Sequence, residues 1–216
     1  RVERLRGEVA DDRAQVMALG DRLTALRKAA AATLAHRVTV ELAALAMADA
    51  TIAVEVDSSG DYSLVGHDKV TILLQPHKGA EPRPLGRGAS GGELSRVMLA
   101  IEVVIAGSDP VPTFIFDEVD AGVGGASAIE IGKRLAQLAR TAQVIVVTHL
   151  PQVAAFATNH LRVVKSTEGE ITASSVQQLL GEERAEELAR MLSGLPDSES
   201  GLVHARELLD TAQSLA

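Results

Sequence analysis

The chain has 216 residues, 46% of them apolar, which suits one sizeable core or a domain with an appendage and excludes global disorder. It has no cysteine, so disulfides and thiolate metal sites are excluded, and a reducing compartment, the cytoplasm, is expected. A net charge of −8, with no Trp and one Tyr, argues against a duplex-binding surface on this piece alone and against a base-stacking platform for single strands.

Val2, Leu5, Val9, Val16, Leu19, Leu23 and Leu26 fall at the a and d positions of a seven-residue repeat, with Asp12 as the polar interruption. This predicts a helix with a stripe that needs a partner, either a second helix of a coiled coil or the domain's own core. The run Ala29–Ala32 continues the helical composition, and Leu34, Val38, Leu42 and Leu45 carry it toward Ala48. Residues 1–48 are therefore expected to form an arm with a connecting helix, and residues 49–216 a head lobe. The sequence begins with Arg1 rather than methionine and so reads as a piece of a longer product, and Arg1–Arg6 precede no apolar signal segment. No apolar run reaches the roughly 20 residues of a membrane span, and no membrane partner is expected.

From Thr51 the period changes to two, with Ile52, Val54 and Val56 on one face. Ser58–Asp61 supply turn chemistry before Tyr62–Val65, and Val70–Leu74 form a second extended run. Pro76, Gly79, Pro82, Pro84, Gly86 and Gly88 predict an irregular loop up to Ser90. Helices and apolar strands then alternate: helix over 90–106, strand over 113–116, helix over 126–140, and a β-branched strand over 144–147 of the kind covered on both faces. Pro151 suits the first turn of a helix through Ala157, followed by strands over 161–164 and 171–176. Two helices close the chain, Glu182–Leu192, stopped by Gly194, and Ser198–Ala216. The order is α/β.

Three segments carry chemistry. The strand Thr113–Phe116 ends in Asp117-Glu118, and ligands of open α/β sheets sit beyond the carboxyl ends of strands. There Asp117 would hold Mg²⁺, directly or through water, and Glu118 would orient or deprotonate a water attacking a γ-phosphate. The plainer alternative is an acidic pair that caps the next helix. In Gly88-Ala89-Ser90-Gly91-Gly92-Glu93-Leu94-Ser95 a loop turns into a helix whose free N–H groups suit phosphate, although Ser90 with Glu93 also makes a capping box that needs no ligand. Val144–Val147 delivers Thr148-His149 to the same sheet edge as the acids, where the imidazole of His149 can meet a phosphate oxygen. The other histidines, His36, His67, His77, His160 and His204, read as surface or packing residues.

The order of these segments resembles the second lobe of the ATP-binding-cassette superfamily of ATPases, and the heptad stripe before it is similar to the structural-maintenance-of-chromosomes type within that superfamily. The strings Ala89–Ala100, Phe116–Gly125, Val147–Ala154 and Glu187–Gly194 resemble, more narrowly, the RecN family of bacterial DNA repair proteins. The resemblance implies the carboxyl-terminal lobe of a P-loop ATPase head with an amino-terminal coiled-coil helix, in a dimeric protein that uses ATP and Mg²⁺ in recombinational repair of double-strand breaks. Glu118 and His149 would then be catalytic, Asp117 the Mg²⁺ ligand, and Ser90, Gly91, Gly92 and Glu93 would act on the nucleotide of the second head of a homodimer. Implied partners are the amino-terminal ATPase lobe of the same protein and, through the intact assembly in the bacterial cytoplasm and nucleoid, DNA.

Two departures limit the carry-over. No Gly-x-x-x-x-Gly-Lys-Ser/Thr loop occurs, so this chain alone is expected not to turn over ATP. Gly124 stands where the superfamily places an aspartate six residues beyond the catalytic glutamate, leaving nearby Asp120 as a candidate for head-to-head contact. A transporter ATPase lobe is disfavoured by Glu93, where transporters usually carry Gln, and by the stripe. A non-catalytic module that binds a partner through Val2–Leu26 is the other alternative.

Overall fold

A computed structural model describes residues 1–87, 89–106, 111–166, 173–195 and 198–215. By internal contacts the chain divides into two units, Arg1–Ala43 with Met47–Ser90, and Ala44–Ala46 with Gly91–Ala216.

In the first unit α1 (Val2–Ala44) runs unbroken through the stripe and the alanine run. It stops at Ala44 rather than nearer Ala48, because Ala46 takes a positive φ of 60° and the Met47 N–H turns back to the Leu42 carbonyl at 3.0 Å. The residues of α1 that become buried are Gly20, Thr24, Ala31, Val38 and Leu42. That row runs mostly one residue, about 100° of helix, round from the expected heptad stripe. Consequently Val2, Leu5, Val9, Val16, Leu19 and Leu26 remain exposed, and only Leu23 is half-buried. At Gly20, Thr24 and Ala31 the unit's own core takes small residues, which permit close backbone approach, and leaves the larger apolar residues of the stripe outside; toward the carboxyl end it takes Val38 and Leu42.

β1 (Thr51–Asp57) and β2 (Lys69–Gln75) pair antiparallel, with Ile52 opposite Leu74 and both buried. Val54 and Val56 share the inward face with Ile52 as the period-two pattern requires. Thr39 Oγ1 on α1 accepts the Ile52 N–H at 3.1 Å, tying helix to strand. Tyr62–Val65 do not extend; Ser63 and Gly66 exchange two backbone bonds of 3.1 Å around a tight turn in which Gly66 has φ 92°. Inside the expected irregular stretch, β3 (Arg83–Pro84) adds a two-residue edge strand to β2, the sheet position that tolerates proline.

The second unit contains α2 (Gly91–Ile105), β4 (Thr113–Phe116), α3 (Gly125–Leu138), β5 (Gln143–Val146), α4 (Pro151–Ala154), β6 (His160–Ser166), β7 (Ala173–Leu179), α5 (Glu182–Ser193) and α6 (Glu199–Leu215). β4 and β5 are parallel, as α/β order requires. They are not covered on both faces: Phe116 is buried, but Ile115 is 71% exposed, and Ile145 and Val147 are also exposed. β6 and β7 form an antiparallel pair. The expected strand start at Ile171 and helix end at Ala216 lie outside the described residues. α5 and α6 close a small core of Ala154, Ala155, Leu188, Ala189, Ala205, Leu208 and Ala212, against which Leu192, Leu202 and Leu209 pack. Gly194 ends α5 with φ 75°, its N–H reaching the Arg190 carbonyl at 2.8 Å, so the sequence stop signal is a left-handed C-cap.

Candidate functional site

The parallel register Phe116↔Val146, extended by a 3.0 Å bond from the Val147 N–H to the Phe116 carbonyl, brings both strands to the same edge. Asp117, Glu118 and His149 therefore leave the sheet together, at the end where α/β sheets hold ligands. Both acids are exposed, and the His149 side chain is 72% exposed. Glu118 has φ 56°, a left-handed conformation that costs a non-glycine residue roughly 1–3 kcal/mol and turns the chain sharply away from β4. Two turns follow, closed by Ala121 N–H to Glu118 O at 3.0 Å and Val123 N–H to Asp120 O at 3.1 Å. The acidic pair does not cap α3: the cap position belongs to Gly124, which is extended at φ −166° and makes no side-chain capping bond. The helix-capping alternative for Asp117-Glu118 thus fails.

The amino end of α2 rests on this loop. A Cβ on Gly92 would stand 2.9 Å from both the Glu118 carbonyl oxygen and the Ala121 methyl, and one on Gly91 would stand 2.5 Å from Glu118 Oε2. Glycine is required at 92 because the obstructing atoms include backbone. Ser95 Oγ donates to the Asp117 carbonyl at 2.7 Å, and the buried Arg96 donates through Nη1 to the Ala121 carbonyl at 2.9 Å. Burial pulls the Arg96 guanidinium below its ordinary value, while the Glu93 and Asp120 carboxylates act in the opposite direction. Glu93 is in the first turn of α2. Exposed Ser90 is the last residue of the first unit. Gly88 lies outside the described residues.

Asp120 requires a correction. It was only a weak candidate for contact between heads, and its side chain, 2% exposed, is directed into this chain. Its Oδ2 accepts from Thr148 Oγ1 and from the His149 N–H at 3.1 Å, and lies 3.3 Å from His149 Nδ1. Thr148 Oγ1 accepts the Leu150 N–H at 3.0 Å just before Pro151 opens α4. Thr148 and Arg96 fall inside the segments that the sequence singled out, but neither was given a role there. A threonine whose hydroxyl can take the N–H two residues on is a local turn signal, whereas the reach of Asp120 across to the end of β5 had no local trace.

Of the other histidines, His36, His77 and His204 are exposed, His67 is buried against Tyr62 with ring centroids 4.5 Å apart, and His160 is half-buried. Burial pushes the His160 imidazole below its ordinary value, with nearby Arg184 acting in the same direction. Among the described residues no three His, Asp or Glu side chains converge on a common point. Mg²⁺ takes one or two carboxylates and fills its remaining positions with phosphate oxygens and water, and exposed Asp117 at the end of β4 is a carboxylate of that kind. No helix among the described residues is long and apolar enough to cross a membrane.

No family model matches the chain. It is 55% identical over 214 residues to the DNA repair protein RecN of Streptomyces coelicolor, a match covering 94% of this chain and 37% of that protein. RecN of Mycobacterium tuberculosis is 48% identical, with 99% of this chain and 39% of that protein covered. RecN of Deinococcus radiodurans is 43% identical, with coverage of 95% and 36%. The chain therefore spans a little over a third of the length of these relatives. Among solved structures, the Smc head domain with a coiled coil and joint from Pyrococcus yayanosii aligns with a TM-score of 0.51 at 20% identity, covering 87% of this chain and 30% of that one. That likeness concerns the fold.

Proposed function

On the premise that the chain belongs to the RecN family of DNA repair proteins, matching their carboxyl-terminal part, we propose that it is the carboxyl-terminal portion of an ATPase acting in recombinational repair of DNA double-strand breaks. The observation that carries the reading is the joint exit of Asp117, Glu118 and His149 from the parallel pair β4–β5. Glu118 orients and deprotonates the attacking water, and His149 meets a γ-phosphate oxygen. Asp117 holds Mg²⁺, which when bound would neutralise charge on the phosphates. Ser90, Gly91, Gly92 and Glu93 at the start of α2 act on the nucleotide of a second head. Residues 1–48 form the arm, whose exposed Val2, Leu5, Val9, Val16 and Leu19 meet the other strand of a coiled coil; residues 49–216 form the head lobe.

ATP binding requires a phosphate loop that this sequence does not contain, so the activity belongs to the head completed by the amino-terminal lobe and paired with a second head. DNA is engaged by that assembly, in the bacterial cytoplasm and on the nucleoid. The test is Glu118→Gln in the intact protein: ATP should still bind while steady-state hydrolysis stalls. Undiminished turnover in that variant overturns the assignment of Glu118.

A further inference from the structure

The roles just given leave Asp120 unused, yet its carboxylate oxygen Oδ2 is the point on which the end of β5 converges. It accepts from Thr148 Oγ1 and from the His149 N–H at 3.1 Å, with His149 Nδ1 a further 3.3 Å contact. Because Thr148 Oγ1 already accepts the Leu150 N–H at 3.0 Å, its own proton is left to point at Asp120. Buried Arg96, which interacts electrostatically with Asp120, supplies compensating positive charge. The carboxylate is 2% exposed, whereas the imidazole beside it is 72% exposed. A buried, oriented anion beneath an exposed ring is the arrangement by which one ring nitrogen is pinned so that the other is presented.

We propose that Asp120 is a positioning residue for His149: it accepts the Nδ1 proton, holds the neutral ring in the Nδ1–H tautomer, and leaves Nε2 as the atom offered to solvent and ligand. When an anionic phosphate oxygen approaches, a proton taken from solvent at Nε2 lets the ring donate to it while Nδ1–H stays on Asp120. The phosphate step rests on the role proposed above for His149. The pairing with Asp120 rests on geometry alone.

Nitrogen-15 NMR of the chain labelled at histidine tests the pairing. His149→Gln identifies the relevant signals among the six histidines. In its neutral form His149 should be mostly Nδ1–H. Asp120→Asn should return it to the Nε2–H form that free imidazole side chains prefer. Thr148→Val, which leaves the carboxylate in place, should keep the Nδ1–H form. A wild-type ring that is mostly Nε2–H overturns the proposal without any variant. So does an unchanged tautomer in Asp120→Asn, or a shift in Thr148→Val as large as that in Asp120→Asn. Should the tautomers behave as expected while His149→Gln leaves ATP turnover of the intact protein unchanged, the phosphate role falls and the Asp120–His149 pairing stands.

Discussion

Among the described residues each unit removes an aspartate side chain from solvent, Asp68 in the first at 0% exposed and Asp120 in the second at 2%, and the two are used differently. Asp68 accepts from Thr24 Oγ1 at 2.6 Å and from Arg27 Nη1 at 2.9 Å, both on α1, while Arg27 Nη2 donates to the Val65 carbonyl at 2.7 Å. Both hydrogen-bonded side chains hold the 60–68 turn onto the helix. Asp120 instead spends its oxygen on the end of a strand and on a histidine that faces outward. A buried carboxylate enclosed by its own donors is a fastening, whereas one that orients an exposed titratable group marks a site.

The comparison breaks hardest at Asp68. Asp68→Ala leaves the Thr24 hydroxyl and the Arg27 guanidinium without their acceptor and frees the turn from α1. Cleavage of the 58–68 segment by a non-specific protease should accelerate on the order of tenfold, because it follows the population of the locally opened state. Protection equal to wild type would show that Asp68 is no fastening. Gly20 supports the same contact, since a Cβ there would lie 2.5 Å from Tyr62 Cε1 and 3.0 Å from His67 Nδ1.

Next in size is Gly92→Ala at the start of α2. The added methyl meets the Glu118 carbonyl and the Ala121 methyl, neither of which is the end of a flexible side chain. Overpacking of this kind costs about 1–3 kcal/mol, readable as a lowered thermal midpoint. Gly91→Ala should cost less, because the obstructing atom is the mobile tip of Glu118, and should displace that carboxylate instead. Equal losses for the two variants would contradict the close packing described for α2 on the loop.

These effects explain which features were legible in the sequence. The strand Thr113–Phe116, the α/β order, the glycine stop at 194 and the delivery of Asp117-Glu118 and His149 to one sheet edge are encoded locally, by period, turn residues and parallel order, and the structure has them. The face of α1 was misread toward its amino end because apolar size marked the heptad row, while burial there followed Gly20, Thr24 and Ala31, whose small or polar side chains carry little hydrophobic signal; Val38 and Leu42, apolar in the sequence, are buried. The exposed faces of β4 and β5 were unreadable because a β-branched run looks the same whether one face or both are covered. The inward turn of Asp120 depends on the positive φ of Glu118 and on a strand 28 residues away at Thr148, and neither leaves a mark in local composition.

Asp120→Asn sharpens the contrast from the other side. The amide keeps an acceptor for Thr148 or the His149 N–H, so the loss of stability should be about 1 kcal/mol, the size of a single hydrogen bond, and protection of the loop should barely change. In the intact protein, hydrolysis should fall more than nucleotide affinity. A loss of affinity as large as the loss of turnover would make Asp120 a fastening like Asp68.

The smallest effect is confined to acid and separates the units by their own carboxylates. The Thr24 hydroxyl, aided by Arg27 and His67 against the opposing effect of burial, holds Asp68 below its ordinary value of 3.8. In the second unit Glu187 is held below 4.5, first by its bond to Arg190, then by Arg162, again against burial. A depressed carboxylate binds its proton more weakly folded than unfolded, so its contribution is complete above the ordinary value and is lost as pH falls through the depressed one. Denaturant midpoints should therefore be level near neutrality and decline only below about pH 4–5. Asp68→Asn should flatten the acid decline reported by probes in the first unit, and Glu187→Gln that reported by probes in the second, each at the cost of a lower plateau. If Asp68→Asn flattened the second unit's decline as well, the two carboxylates would belong to one cooperative transition, and the contrast between a local fastening and a site would have to be redrawn for the whole chain.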